Sequence, residues 1–244
     1  MRETRYSLKT DVPHAIRIAI CSDLHDNPFD RAVSILRHAS PDLIALPGDL
    51  GENPYRSENY LAFMSACAEI APTVYALGNH DKAFHDDPVV ADAIRATGTV
   101  LLDDTDIELC GIWVGGLTTG FRNQKREGYF APPPSPNLKW LDDTFCQRPG
   151  FKLLLCHHPE YYPTYLKERD VSLVLSGHAH GGQWQFFGRG VLAPGQGLFP
   201  RYTYGVHDNR LVISRGMGDH TWIPRLFNPR EVVIVDLSPD DQAK

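Results

Sequence analysis

The stretch Ile16–Asp49, IRIAICSDLHDNPFDRAVSILRHASPDLIALPGD, decides how the rest of the chain is read. IRIAICS (16–22) is a short apolar run and predicts a buried strand. DRAVSILRHA (30–39) places its apolar residues at helical spacing, and PDLIALPGD (41–49) is a second buried strand. A strand, a helix and a strand within 34 residues form a βαβ unit, which calls for parallel strands. The rhythm continues outward. SENYLAFMSACAEI (57–70) predicts a helix, PTVYALGN (72–79) a strand, and DPVVADAIRATG (87–98) a helix with a glycine stop.

The second half is richer in strands. IELCGIWVGGL (107–117) predicts a hairpin, and FKLLLCHH (151–158) and VSLVLSGH (171–178) predict apolar strands. RYTYGVH (201–207) and RLVISRG (210–216) flank an Asp-Asn turn signal, and EVVIVDL (231–237) predicts a last strand. The expected fold is α/β, with two sheets packed face to face and helices outside. The proline-rich YFAPPPSPN (129–137) is a surface loop and not a linker, so residues 1–244 form a single domain. SPDDQAK (238–244) reads as a frayed tail.

Composition narrows the function classes. The net charge of −6 argues against general nucleic-acid binding, which needs clustered Lys and Arg, and a nuclease finds no basic patch in support. No apolar run is long enough to span a bilayer, and the N-terminus lacks the apolar core of a signal peptide, so the default location is cytoplasmic. Five cysteines without tight spacing suit reduced thiols; Cys21 and Cys156 lie in apolar runs as buried strand residues.

The chemistry sits where the strands stop. The first ends in SDLHD with Asp23 and His25, and the second in PGDLGE with Asp49. The third ends in LGNHDK with Asn79, His80 and Asp81. Two later ones end in LCHHPE, with His157 and His158, and in SGHAHGG, with His178 and His180. Ligands of α/β sheets collect at the carboxyl ends of strands. In Asp-x-His and His-x-His a period of two aims both side chains the same way. Glycines at 48, 78 and 177 are expected to let the backbone turn sharply there. Carboxylate, imidazole and amide without thiolate suit Mn, Fe, Co, Ni or Zn. These are more ligands than one ion can use, and two divalent ions sharing a carboxylate would use them well.

In this order the residues resemble the calcineurin-like metallophosphoesterase superfamily. Its pattern of Asp-x-His, Gly-Asp-x-x-Asp, Gly-Asn-His-Asp/Glu, His and Gly-His-x-His stands here as DLH, GDLGE, GNHD, HHP and GHAH. The GHAHGGQ extension and SRGMGDHTWIPRLFNPREVVIVDL resemble the YaeI/YkuE-like phosphodiesterase branch.

The resemblance implies a four-layer fold with a central β-sandwich of two mixed sheets flanked by helices. It implies a first ion at Asp23, His25 and His180, a second at Asn79, His157 and His178, and Asp49 bridging. His80 corresponds to the catalytic histidine, acting as general acid while a bridging hydroxide attacks, and Asp81 to the residue that orients it. Glu52 departs from the pattern's Asp, a change expected beside the metal site and not in it. His158 is expected to point to the opposite face.

Arg122, Arg201, Arg215 and Arg225 are mostly expected as solvated charges, with Arg215 the candidate substrate clamp. His220 and Trp222 are candidates to line the pocket, and WIPRLF (222–227) is expected to pack on the core in preference to a lipid. The implied reaction is phosphoester hydrolysis, of phosphodiesters before monoesters or phosphoproteins, with a substrate that is nucleotide- or lipid-linked. A non-catalytic metal scaffold is the competing reading. Peripheral membrane contact stays open.

Overall fold

The computed structural model describes the chain apart from residues 54, 56–57, 82–85, 121–130, 220–222 and 241–244. The expectations on Arg122, His220, Trp222 and the end of the tail lie outside the described residues. The strands are β1 (Arg2–Thr10), β2 (Ile16–Ile20), β3 (Leu43–Pro47), β4 (Thr73–Ala76), β5 (Val100–Leu102), β6 (Thr105–Leu109), β7 (Ile112–Leu117) and β8 (Lys152–Cys156). Next come β9 (Leu173–Ser176), β10 (Gln185–Phe186), β11 (Arg189–Gly190), β12 (Leu192–Ala193), β13 (Gly197–Leu198), β14 (Gly205–His207), β15 (Leu211–Ile213) and β16 (Glu231–Pro239). The helices are α1 (Asp30–Ala39), α2 (Asn59–Ala68), α3 (Pro88–Ala96) and the short α4 (Leu138–Asp143).

Two mixed six-stranded sheets form, in the orders β1-β16-β2-β3-β4-β5 and β14-β15-β9-β8-β7-β6. Within them β2, β3, β4 and β5 are parallel, as are β7, β8, β9 and β15. The predicted hairpins β6–β7 and β14–β15 are both present and antiparallel.

The alternation of a pleated strand explains the layers. Ile18 and Ile20 of β2 face Leu153 and Leu155 of β8 in the core between the sheets. Ala19 and Cys21 face the other way, into a second core with Leu36 of α1, Phe63 of α2 and Ile94 of α3. Leu154 and Cys156 likewise turn outward, onto Leu141 and Phe145. Strands buried on both faces carry no polar alternation, which is why they read as unbroken apolar runs. The result is the expected sandwich of two sheets with helices outside.

Two features differ from the sequence reading. β1 pairs in parallel with β16 at the edge of its sheet, although RETRYSLKT carries too many charges to announce a strand. β16 also runs on to Pro239, so the supposed tail begins later. The five cysteines are free thiols, and burial pushes Cys21 and Cys156 far up, away from nucleophilic use. No helix among the described residues is long and apolar enough to cross a membrane.

Candidate metal centre

Because β2, β3 and β4 run parallel in one sheet and β8 and β9 in the other, their carboxyl ends bring the five motifs to one edge of the sandwich. Four groups of ligand-type side chains form there among the described residues, two of them made of expected ligands alone. Ligand atoms of Asp23, His25 and His180 lie within 4.8 Å of one another, and so do those of Asp49, His157 and His178.

The backbone is strained to make this possible. Asp23, His25, Asp49, His178 and His180 all have positive φ, between 46° and 66°. Residues with a Cβ seldom hold that conformation, and where they do it clusters at functional sites. Of the three glycines expected to turn the chain, only Gly48 has positive φ (87°). Gly78 and Gly177 serve by leaving room: a Cβ there would overlap the carboxylates of Asp49 and Asp23 respectively.

Backbone amides orient the carboxylates. Asp23 Oδ1 accepts from His178 N (3.0 Å), which ties the ends of β2 and β9 together. Asp49 Oδ1 accepts from His80 N at 2.9 Å. His157 Nδ1 donates to Pro47 O (2.7 Å), turning Nε2 toward Asp49 Oδ2 at 3.0 Å. His25 and His180 bring their Nε2 atoms to within 3.3 Å of each other.

This donor set fits divalent ions on its own chemistry. Asp23 Oδ2 and Asn79 Oδ1 are buried without a hydrogen-bond partner, which is costly unless something else binds them. His178 and His180 are held well below the usual imidazole range, first by burial and then by the neighbouring His158 and His25 respectively. A neutral imidazole is the form a metal binds. Asp49 stays ionised despite its burial because His157 and His80 lie close by. Burial works against a charge on His157, but Asp49 raises it to about 10. An ion at this position must therefore displace the His157 proton.

A second ring of residues steadies the first. Glu52 Oε1 lies 2.5 Å from His25 Nδ1, the carboxylate–histidine arrangement that fixes a ligand's tautomer. Its Oε2 lies 3.6 Å from His80 Nδ1. That geometry shifts the role expected of Asp81. The buried Asp81 carboxylate instead accepts from Gly78 N (2.6 Å) and Asp49 N (2.8 Å), bracing the loops beneath the site.

Three further expectations change. His158 is buried at the centre, its ring 4.1 Å from that of His178, and its Nδ1 is 3.1 Å from Glu160, which also stands 3.7 Å from His178 Nε2. It lies two residues past the end of β8, where strand alternation no longer governs direction. Arg215 is not a substrate clamp. Its guanidinium is buried against Glu231 (2.5 Å) and lies 3.8 Å from the Tyr204 ring centre. Arg225, expected in solvent, is buried instead, with Nη2 3.1 Å from His180 Nδ1 and anchors on Asp219, Arg215 O and Gly218 O. Arg201 is exposed, as expected.

A sandwich that gathers carboxylates, an amide and neutral imidazoles at one edge is the arrangement of a metallophosphoesterase. Residues 16–182 match the calcineurin-like phosphoesterase family model, and the chain belongs to that family. It is similar to a protein of Campylobacter jejuni described as an uncharacterised metallophosphoesterase, with 31% identity over 229 residues, 90% of this chain and 57% of the relative. It is 27% identical to the metallophosphoesterase YkuE of Bacillus subtilis (95% of this chain, 83% of YkuE). It is 26% identical to the phosphodiesterase YaeI of Escherichia coli (83% of this chain, 75% of YaeI). The chain spans about three fifths of the length of several curated relatives from Campylobacter and Helicobacter.

Proposed function

We propose that this protein is a dinuclear metal-dependent phosphodiesterase. The observation that carries the reading is the pair of adjoining ligand trios, with Asp49 placed to act on both. Its charge reaches His25 of one trio and His157 of the other. Asp23, His25 and His180 would hold one divalent ion and Asn79, His157 and His178 the other, with Asp49 shared. Mn, Fe, Zn, Co and Ni all suit these donors. When bound, the ions supply Lewis acidity toward the phosphoryl oxygens and toward water.

The chain's own residues do the rest. His80 stands at the rim with about a fifth of its side chain exposed. With Nδ1 turned to Glu52, Nε2 is the atom that gives a proton to the departing ester oxygen, a role worth about 10²–10⁴-fold. Glu52 fixes His25, Asp81 fixes the loops that carry Asp49 and Gly78, and Arg225 fixes His180.

A diester suits the surroundings better than a monoester. Glu160 lines the cavity beside Asn79 and His178, and Glu52 is a third exposed at the rim. The one arginine at the trios among the described residues, Arg225, is paired with Asp219. A diester's single negative charge meets less repulsion there than a monoester's dianion. The test is turnover of bis(p-nitrophenyl) phosphate and p-nitrophenyl phosphate by chelator-stripped protein, before and after reloading with Mn. The expected result is Mn-restored turnover that favours the diester. Failure with each of Mn, Fe, Co, Ni and Zn would overturn the reading in favour of a scaffold.

A further inference from the structure

The segment 171–207 contains no Asp or Glu in a chain whose net charge is −6. Its fixed charges are Arg189 and Arg201, both exposed, and neither forms an ion pair among the described residues. Among the described residues, the same segment carries most of the exposed large hydrophobic side chains. Of the nine large hydrophobic residues exposed among the described residues, five lie in it: Trp184, Phe186, Phe187, Leu198 and Phe199. Two more, Leu226 and Phe227, join the same surface.

The backbone shows that these form one face. β10 and β11 make a tight hairpin whose tip is Phe187–Gly188. Trp184 bridges to Leu226, and the Phe186 and Phe227 rings lie 5.8 Å apart. Phe199 N donates to Val191 O, which joins the turn after β13 to the strand leaving the hairpin. Tyr204 Oη donates to Gly188 O and props the tip from behind. A groove of about 670 Å³ runs alongside, lined by Arg189, Phe199, Arg201, Tyr204 and His207 among others. The packing expected for WIPRLF does not hold at Leu226 and Phe227, which are 41% and 72% exposed.

We infer that this face docks the protein on an anionic phospholipid bilayer. The apolar groups stand on protruding tips, with Phe187 fully exposed (104%) and Phe199 74% exposed. Protruding aromatic tips enter the boundary between headgroups and acyl chains readily. The two arginines, with no acid in their segment, supply local positive charge to an otherwise acidic protein, the complement of an anionic leaflet. The same segment also contributes Pro194 and Gly195 to the cavity wall beside Glu160 and His178. Docking therefore sets the metal centre close to the membrane surface. The inference does not depend on which phosphoester is cleaved.

The test is co-sedimentation of the chain with vesicles of equal parts phosphatidylglycerol and phosphatidylcholine, beside pure phosphatidylcholine vesicles. Binding is expected to the anionic vesicles and to weaken with salt. A Phe187→Ser, Phe199→Ser, Phe227→Ser variant should lose at least about tenfold in partitioning. Arg189→Glu with Arg201→Glu should lose at least about 25-fold, from roughly fivefold per arginine removed. Both variants should keep the wild-type far-ultraviolet circular dichroism and turnover of a soluble nitrophenyl diester. If the serine variant does not fold, the arginine variant and the salt dependence still decide. Absence of binding to anionic vesicles overturns the inference. So does equal binding to both vesicle types, or a wild-type dimer in solution that the serine substitutions dissolve while vesicle binding is absent.

Discussion

Replacing Glu52 by alanine isolates the carboxylate that holds the first metal trio. Glu52 Oε1 lies 2.5 Å from His25 Nδ1, so it fixes which ring nitrogen carries the proton and aims Nε2 at Asp23 and His180. The substitution leaves the loop in place, because Glu52 N donates to Asp26 Oδ2 through the backbone at 2.9 Å. Outer carboxylates of this kind are worth about 10–100-fold in metal affinity, or about 1.4–2.7 kcal/mol. Glu52 is 35% exposed and water shares its interaction, which places the expected loss near the tenfold end. Glu52→Gln retains an amide oxygen that still accepts from Nδ1–H and should lose less. The assay is calorimetric titration of chelator-stripped protein with Mn, in a His178→Ala background that leaves the first trio as the principal site. An affinity in Glu52→Ala equal to that with Glu52 intact would refute the assignment, and so would an equal loss when the intact His25 trio is removed and the second trio is titrated instead.

Other outcomes follow from the same geometry. Asp81→Ala strands two buried amides, Gly78 N and Asp49 N, at about 1–3 kcal/mol each. The expected loss is about 2–6 kcal/mol in urea unfolding with the m-value unchanged, and Asp81→Asn should lose less because one acceptor oxygen survives. Removing bound metal with a chelator should lower the unfolding midpoint. At about a hundredfold excess of free ion over Kd the linkage is about 2.7 kcal/mol, or about 5–10 °C for a domain of this size by scanning calorimetry. Without an ion, His157 holds its proton to about 10. Binding must expel that proton, so the apparent metal affinity should rise with pH through the neutral range, and an affinity that falls with rising pH would contradict the role of His157.

Much of this was legible from residues alone, for a physical reason. A strand buried on both faces has nowhere to hide a polar residue until it ends, so Asp23, Asp49, Asn79, His157 and His178 stand out where the apolar runs stop. α1 runs over Asp30–Ala39, the same residues as its helical pattern, because four buried positions mark one face. Less visible was whatever depends on contact between distant segments. β1 is an edge strand with one buried residue, Leu8, so its sequence carries little apolar signal. His158 lies past the strand end, where the rule of two lapses. Arg225 and Glu160 have no motif, and each acquires its role from a histidine 45 or 18 residues away in sequence. The exposed aromatic face looks in sequence like ordinary core material, and only its placement on protruding turns distinguishes it.

We propose that His80 protonates the leaving group at a metal-dependent phosphodiester site. The most direct measurement compares wild type with His80→Ala on two diesters, one expelling p-nitrophenolate and the other a simple alkoxide. Nitrophenolate is stable without a proton, and an alkoxide is not. His80→Ala is expected to slow the alkyl diester by about 10²–10⁴-fold and the nitrophenyl diester much less. Equal slowing of both substrates, or no slowing of the alkyl diester, would contradict it.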